Sequence, residues 1–217
     1  MAEISVAGGQ SSTSQAGAGW AASKARTARL RSGPWVFRSE LGWREFYADV
    51  MHQRPESARA SMDARFDDDF AWDSGKQADA LFDAWAQGRT GFPFVDACMR
   101  SLDATGWLNF RMRAMLVTTA THTLSLPWRP VADWLSQMFV DFEPGIHYTQ
   151  IQMHSSMSGS PVLRIYNPTK QAIDLDPKGD FVRRWVPELA AVPDEWIFTP
   201  WLIPEGLRRE FGLVGEQ

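Results

Sequence analysis

One cysteine, Cys98, stands in a chain of 217 residues. A single thiol excludes an intrachain disulfide and any zinc or iron–sulfur centre built from several cysteines. No apolar run approaches the length of a membrane span. The chain opens Met1-Ala2-Glu3-Ile4 and continues through Gly, Gln, Ser and Thr, without the basic start and apolar stretch of a signal peptide. A cytoplasmic protein is the expectation. Strand-like alternation, internal repeats, a P-loop and a GxGxxG motif are also missing. The net charge of −4 gives no overall attraction for a nucleic-acid backbone.

Tryptophan, in contrast, is abundant, with eleven in the chain. Each is a large flat surface with an N–H that needs a partner, which suits helix packing or a flat aromatic ligand. Charge is segregated. Between Trp20 and Arg44 six basic residues (Lys24, Arg26, Arg29, Arg31, Arg38, Arg44) face one acid, Glu40. Between Asp63 and Asp83 seven aspartates face only Arg65 and Lys76. A locally basic face can meet a phosphate backbone or simply be a solvated helix face.

Residues 1–19 are Gly/Ser/Ala/Gln-rich without periodicity and read as a disordered tail ahead of one domain over 20–217. From Trp20 the period is helical, so the class is mainly α. Helices are expected at 34–51, 77–87, 94–105, 107–124, 131–140, 180–189 and 204–213, with Gly88 and Gly106 ending the second and third. The 107–124 helix is apolar nearly all round and is expected at the centre. The acidic 67–69 reads as a loop, and 141–178, with Pro144, Pro161, Pro168 and Pro177, as a loop-rich stretch lining something.

Three groupings carry chemistry. Arg111 and Arg113 lie on the central helix two residues apart, so they point roughly 200° away from each other and cannot serve one surface. An arginine among apolar residues needs an anion, and Asp141 and Glu143 are the nearest candidates, whether for a structural ion pair or a site. His147 and His154, with those two acids, could in principle hold a metal, but the spacing matches no ligand motif and no metal is assigned. Ser155, Ser156, Ser158 and Ser160 cluster near His154 without a nucleophile elbow or the strand that it needs.

Longer strings say more. Gly88-Arg89-Thr90-Gly91-Phe92-Pro93-Phe94-Val95-Asp96-Ala97, Met99-Arg100 and Ala104-Thr105-Gly106-Trp107 resemble the core signature of the cryptochrome/photolyase flavin domain. So do Ser39-Glu40-Leu41-Gly42-Trp43-Arg44-Glu45-Phe46-Tyr47, Arg164-Ile165-Tyr166-Asn167-Pro168 and Asp176-Pro177-Lys178-Gly179, running into Arg183-Arg184-Trp185-Val186-Pro187-Glu188-Leu189. The blocks occur in the family's order over about residues 35–201.

The resemblance implies a helical domain holding a folded FAD, without the family's N-terminal α/β antenna domain, so no second chromophore is expected. Arg113 and Asp141 match the family's ion pair beside the flavin ring, where positive charge favours a negatively charged reduced flavin. Glu143 falls at the ring's polar edge, and His147 falls where many members have Asn near N5. Glu40 would hydrogen-bond bases flipped out of DNA, and Trp43 would stack on them. Arg111, with Arg44 beside that motif, would hold the DNA backbone.

The chain also departs from the family. The Thr-Ser-x-Leu-Ser block that binds the FAD phosphates is not recognisable, and neither Thr13-Ser14-Gln15 nor residues 26–30 is assigned to it. In the tryptophan chain that photoreduces the flavin, Trp128 matches the middle member and Trp72 the outer one, while Ile151 takes the position nearest the flavin. Met153 replaces a tryptophan of the catalytic cavity. Electrons would then arrive through Trp107 or Tyr148, or from a separate donor. The segment Glu143-Pro144-Gly145-Ile146-His147-Tyr148 resembles a divergent, antenna-less branch. The leading reading is light-driven, FAD-dependent repair of pyrimidine dimers in DNA. The alternatives are a flavin photoreceptor signalling to a protein partner, and a fragment poorly loaded with flavin.

Overall fold

A computed structural model describes residues 33–66, 72–159 and 165–213; its regular structure is helical, with no strand among those residues. Contacts divide the chain into a unit ending at Phe46 and a second beginning at Tyr47. The described part of the first unit is the opening of α1 (Gly33–Gln53), where Trp43 and Phe46 meet edge to face with ring centroids 5.8 Å apart. The tail over 1–19, its boundary with residue 20, Thr13-Ser14-Gln15, residues 26–30 and the acidic 67–69 lie outside the described residues.

In the second unit the core is built on α3 (Pro93–Thr105), whose residues Phe94–Met99 are all buried. Pro93 suits the first helical turn, where its missing N–H costs nothing. Gly106 ends the helix in the left-handed conformation that glycine adopts without strain. Packed on α3 are α2 (Lys76–Ala86), α4 (Phe110–Thr118), α7 (Pro168–Leu175) and α8 (Asp180–Trp185). Beyond α4, α5 (Trp128–Met138) and α6 (Pro144–His154) pair with each other. The short α9 is Glu205–Arg208.

Three buried or half-buried polar side chains lock this packing. Asp96 accepts the Thr90 N–H at 2.7 Å, the Thr90 hydroxyl at 2.6 Å and the Gly91 N–H at 2.9 Å, closing the turn ahead of its own helix. Arg100 forks onto Glu188 at 2.6 and 2.9 Å and donates Nε to the Gly88 carbonyl, tying α3 to the segment after α8. Asp176 accepts the Phe181 and Val182 N–H groups at the start of α8. A buried carboxylate is tolerated because each oxygen is hydrogen-bonded.

Two expectations are corrected. The helix foreseen over 107–124 begins only at Phe110 and passes into a π turn at Thr119–Thr123. Asn109 caps it by accepting the Met112 N–H at 3.1 Å, which leaves Trp107 outside and Phe110 and Arg111 exposed on the first turn rather than buried all round. The stretch 141–178 is not mainly loop, since it contains α6 and α7. Pro144 and Pro168 punctuate it by starting helices, each preceded by a capping side chain, Glu143 or Asn167.

Candidate functional site

Gly106 seats the segment that carries Asp141. Its carbonyl accepts the Val140 N–H at 3.0 Å, and a Cβ built on it would run into the Val140 side chain. Only a residue without a side chain lets the end of α3 and the segment after α5 approach this closely. From α4, Arg113 reaches across and forks onto Asp141, NH1 to Oδ1 at 3.0 Å and NH2 to Oδ2 at 2.9 Å. Its Nε donates to the Leu108 carbonyl at 2.7 Å, and its guanidinium lies over the Phe139 ring, 4.1 Å from the centroid. The arginine is thereby held in one orientation before any ligand arrives.

This pair is not sealed away. The Arg113 side chain keeps 26% and Asp141 48% of its surface exposed. Of five guanidinium N–H groups three are used, so two remain, and both Asp141 oxygens keep lone pairs. Along the chain on either side stand large exposed apolar residues, Trp107, Phe110, Val140 and Phe142. A planar heterocycle with acceptors and an N–H on one edge and apolar faces matches that donor set, so the residues fit a flavin ring.

Glu143 is turned to its own helix, its oxygens accepting the Gly145 N–H at 3.2 Å and the Ile146 N–H at 2.7 Å. This holds the start of α6 and with it His147, which is 8% exposed. His147 Nε2 lies 2.8 Å from the Ala132 carbonyl. A carbonyl can only accept, so Nε2 carries the proton and Nδ1 is left as the acceptor. The ring sits edge to face with Phe142 and Tyr148, both at 5.1 Å, and with Phe139 at 6.3 Å. The Tyr148 hydroxyl donates to Asp133 at 3.4 Å.

Burial presses the His147 pKa down; the Ala132 carbonyl opposes this and the charge of Arg113 reinforces it, for a net lowering. His122 is lowered for the same leading reason. The unfolded chain therefore takes up protons at about pH 6.5, where the folded one resists them, so stability is full above that value and falls as the pH drops below it. Thermal melts at about pH 7.5 and about pH 5.5 should show a lower midpoint in acid, and a smaller loss in His147→Asn. An equal loss in the variant would place the effect elsewhere.

The other residues singled out from sequence lie as follows. Arg111 is exposed, one residue from the inward-turned chain of α4. Met153 is 37% exposed, and beside it His154 is buried between Phe110 and Tyr166, with ring centroids at 5.8 and 5.7 Å. Trp128 and Ile151 are both in the core, and Trp72 packs against it half-buried. Glu40, Trp43 and Arg44 belong to the first unit, where the spacing of three and four residues sets them along one face of α1.

Ser155 is spent on the Ile151 and Gln152 carbonyls, and Ser156 lies 3.3 Å from His122 Nε2, which also faces the His154 carbonyl at 3.1 Å. Among the described residues no three His, Cys, Asp or Glu side chains could hold one metal ion. Sequence reasoning missed Phe139 and Phe142, although aromatics on both sides of Asp141 were a visible signal. It also missed Gln152, a fully buried side chain on α6. Its amide donates to the Ser57 and Ala60 carbonyls at 2.6 and 3.1 Å and accepts the Met62 N–H at 2.6 Å.

The family model described as the FAD binding domain of DNA photolyase matches residues 37–216. A deoxyribodipyrimidine photo-lyase of Vibrio cholerae is 34% identical over 177 residues, covering 81% of this chain and 37% of the relative. Cryptochrome-1 of Sinapis alba is 41% identical over 173 residues, covering 78% and 33%. The crystal structure of a class III photolyase from Agrobacterium tumefaciens superposes with a TM-score of 0.76 at 30% identity, over 88% of this chain and 39% of that one. The chain spans roughly a third of the length of these curated relatives.

Proposed function

The chain belongs to the photolyase/cryptochrome family of flavoproteins, and from that premise we propose that it is a FAD-dependent enzyme of light-driven DNA repair acting on pyrimidine dimers. The observation that carries the reading is the preset Arg113–Asp141 fork, with donors and acceptors to spare, lying over Phe139 and with exposed apolar residues along the chain on either side. FAD, when bound, supplies the light absorption and the electron that no side chain can supply.

The chain's own residues position and polarise. Arg113 holds a fixed positive charge at the ring edge, and Asp141 keeps that guanidinium in one plane. His147 keeps its proton on Nε2 toward Ala132 and so offers neighbours a lone pair, where an Asn would offer an N–H. By resemblance, Glu40 hydrogen-bonds the flipped bases, Trp43 supplies the flat wall that recovers their stacking, and Arg111 and Arg44 neutralise the DNA backbone. Buried Ile151 in place of an aromatic favours an external electron donor.

A second reading rests on a specific observation. By resemblance, non-aromatic Ile151 and Met153 stand where the family carries tryptophan in its photoreducing chain and its catalytic cavity, and the 41% identity to a plant cryptochrome is compatible with a photoreceptor that signals to a protein partner. The experiment is blue-light illumination of the FAD-loaded protein with a thymine-dimer oligonucleotide and a reductant. Light-dependent loss of dimers is the expected result, and Glu40→Ala should keep its flavin while repairing at least about tenfold more slowly. Equal repair by the variant removes Glu40 from the site. Photoreduction without dimer loss replaces repair by signalling.

A further inference from the structure

On the side of the second unit formed by α2, α3 and α5 is a groove of about 460 Å³, lined by none of the residues around Arg113 and Asp141. We propose that it is a binding site for a flat aromatic cation. The volume is in the range of small-ligand sites. Its walls are Phe82 and Ala86 from α2, Met99 from α3 and Trp134 from α5. Trp134 is held by an edge-to-face contact with Trp85 at 5.5 Å, and Phe82 lies 5.9 Å from the same ring. Trp85 itself is wholly buried behind them, and its indole N–H has no acceptor among the described residues.

Charge selects the ligand. Asp83 and Asp103 stand exposed at the groove and form no ion pair among the described residues. Among the described residues the cation in the lining is Arg100, which is consumed by its fork onto Glu188 and by the Gly88 carbonyl. Two carboxylates beside an aromatic wall, Phe82 and Trp134, attract a delocalised positive charge through Coulomb and cation–π terms together. The same field repels phosphates, so the groove suits neither a nucleotide nor a nucleic-acid backbone. It is a ligand site of opposite preference to the flavin-type site, and it does not depend on the repair reading.

The test is isothermal titration of the FAD-incubated, desalted protein with proflavine, a flat monocation, and with acridone, an uncharged molecule of the same outline. Saturable proflavine binding that weakens with salt, and much weaker binding of acridone, are expected. Asp83→Asn combined with Asp103→Asn, at exposed positions that leave the fold alone, should weaken proflavine about tenfold. Trp134→Leu should weaken it further. Absence of saturable proflavine binding, equal affinity for acridone, or an unchanged affinity in the double Asn variant overturns the proposal. Because Trp134 supports Trp85, the double variant decides the matter even where Trp134→Leu folds poorly.

Discussion

Arg113→Ala is expected to hold FAD roughly ten- to a hundredfold less tightly than the parent protein, measured as flavin retained through gel filtration. The magnitude follows from losing charge-assisted hydrogen bonds, each worth about 1.5–3 kcal/mol, from a preset position. Truncation also strands Asp141, whose two oxygens are directed at the guanidinium, and uncovers the Phe139 face and the Leu108 carbonyl. Arg113→Lys separates charge from shape. A lysine restores a positive charge but neither the fork nor the flat contact with Phe139, so it should recover only part of the affinity. Full flavin content in the Ala variant would detach this pair from the cofactor and leave it a structural ion pair.

Gln152→Leu is expected to cost about 3 kcal/mol or more of folding stability, read as a lower urea midpoint at unchanged slope. The leucine fills the space but leaves the Met62 N–H and the Ser57 and Ala60 carbonyls without the partner they have now. These groups belong to the turn after α1, which Gln152 joins to α6 across about ninety residues of chain. Gln152→Glu keeps an acceptor for Met62 while losing both donated bonds, and it brings a buried charge, so it should be no less damaging. A loss below about 1 kcal/mol in the leucine variant would mean that water replaces the amide, and the joint would not be a stabilising one.

The difference between these two residues explains what was legible in the sequence. A charged side chain within an apolar helix demands an anion, which brought Arg111 and Arg113 together with Asp141 and Glu143, and the family resemblance then singled out Arg113 and Asp141, the pair that forms the fork. Gln152 bonds only to backbone atoms of a distant turn, and backbone partners leave no mark in sequence. The family was legible for a further reason. The strings that carry the resemblance are largely scaffold, with Asp96, Arg100, Asp176 and Glu188 closing turns and tying helices rather than lining the candidate site. Turns and helix joints restrict residue type at several neighbouring positions, whereas the face of a site restricts it at isolated ones.

Errors in the elements have the same physical root. A stretch with four prolines suggests loop over 141–178, yet Pro144 and Pro168, each preceded by a capping side chain, Glu143 or Asn167, start helices. The hydrophobic run at 107–124 concealed Asn109, whose side chain sets the true start of α4; within that helix Arg113 turns to Leu108 and Asp141 while Arg111 stays exposed. A helix begun at Trp107 would have carried no such cap.

The most direct measurement is the flavin content of the purified protein after incubation with FAD and gel filtration, taken from its absorption spectrum. A bound, structured flavin spectrum at close to one FAD per chain is the expected result, with the Arg113→Ala protein nearly colourless under the same treatment. A folded, monodisperse protein that emerges free of flavin and takes up none on titration would contradict it, and would leave the helical domain as a scaffold without its cofactor.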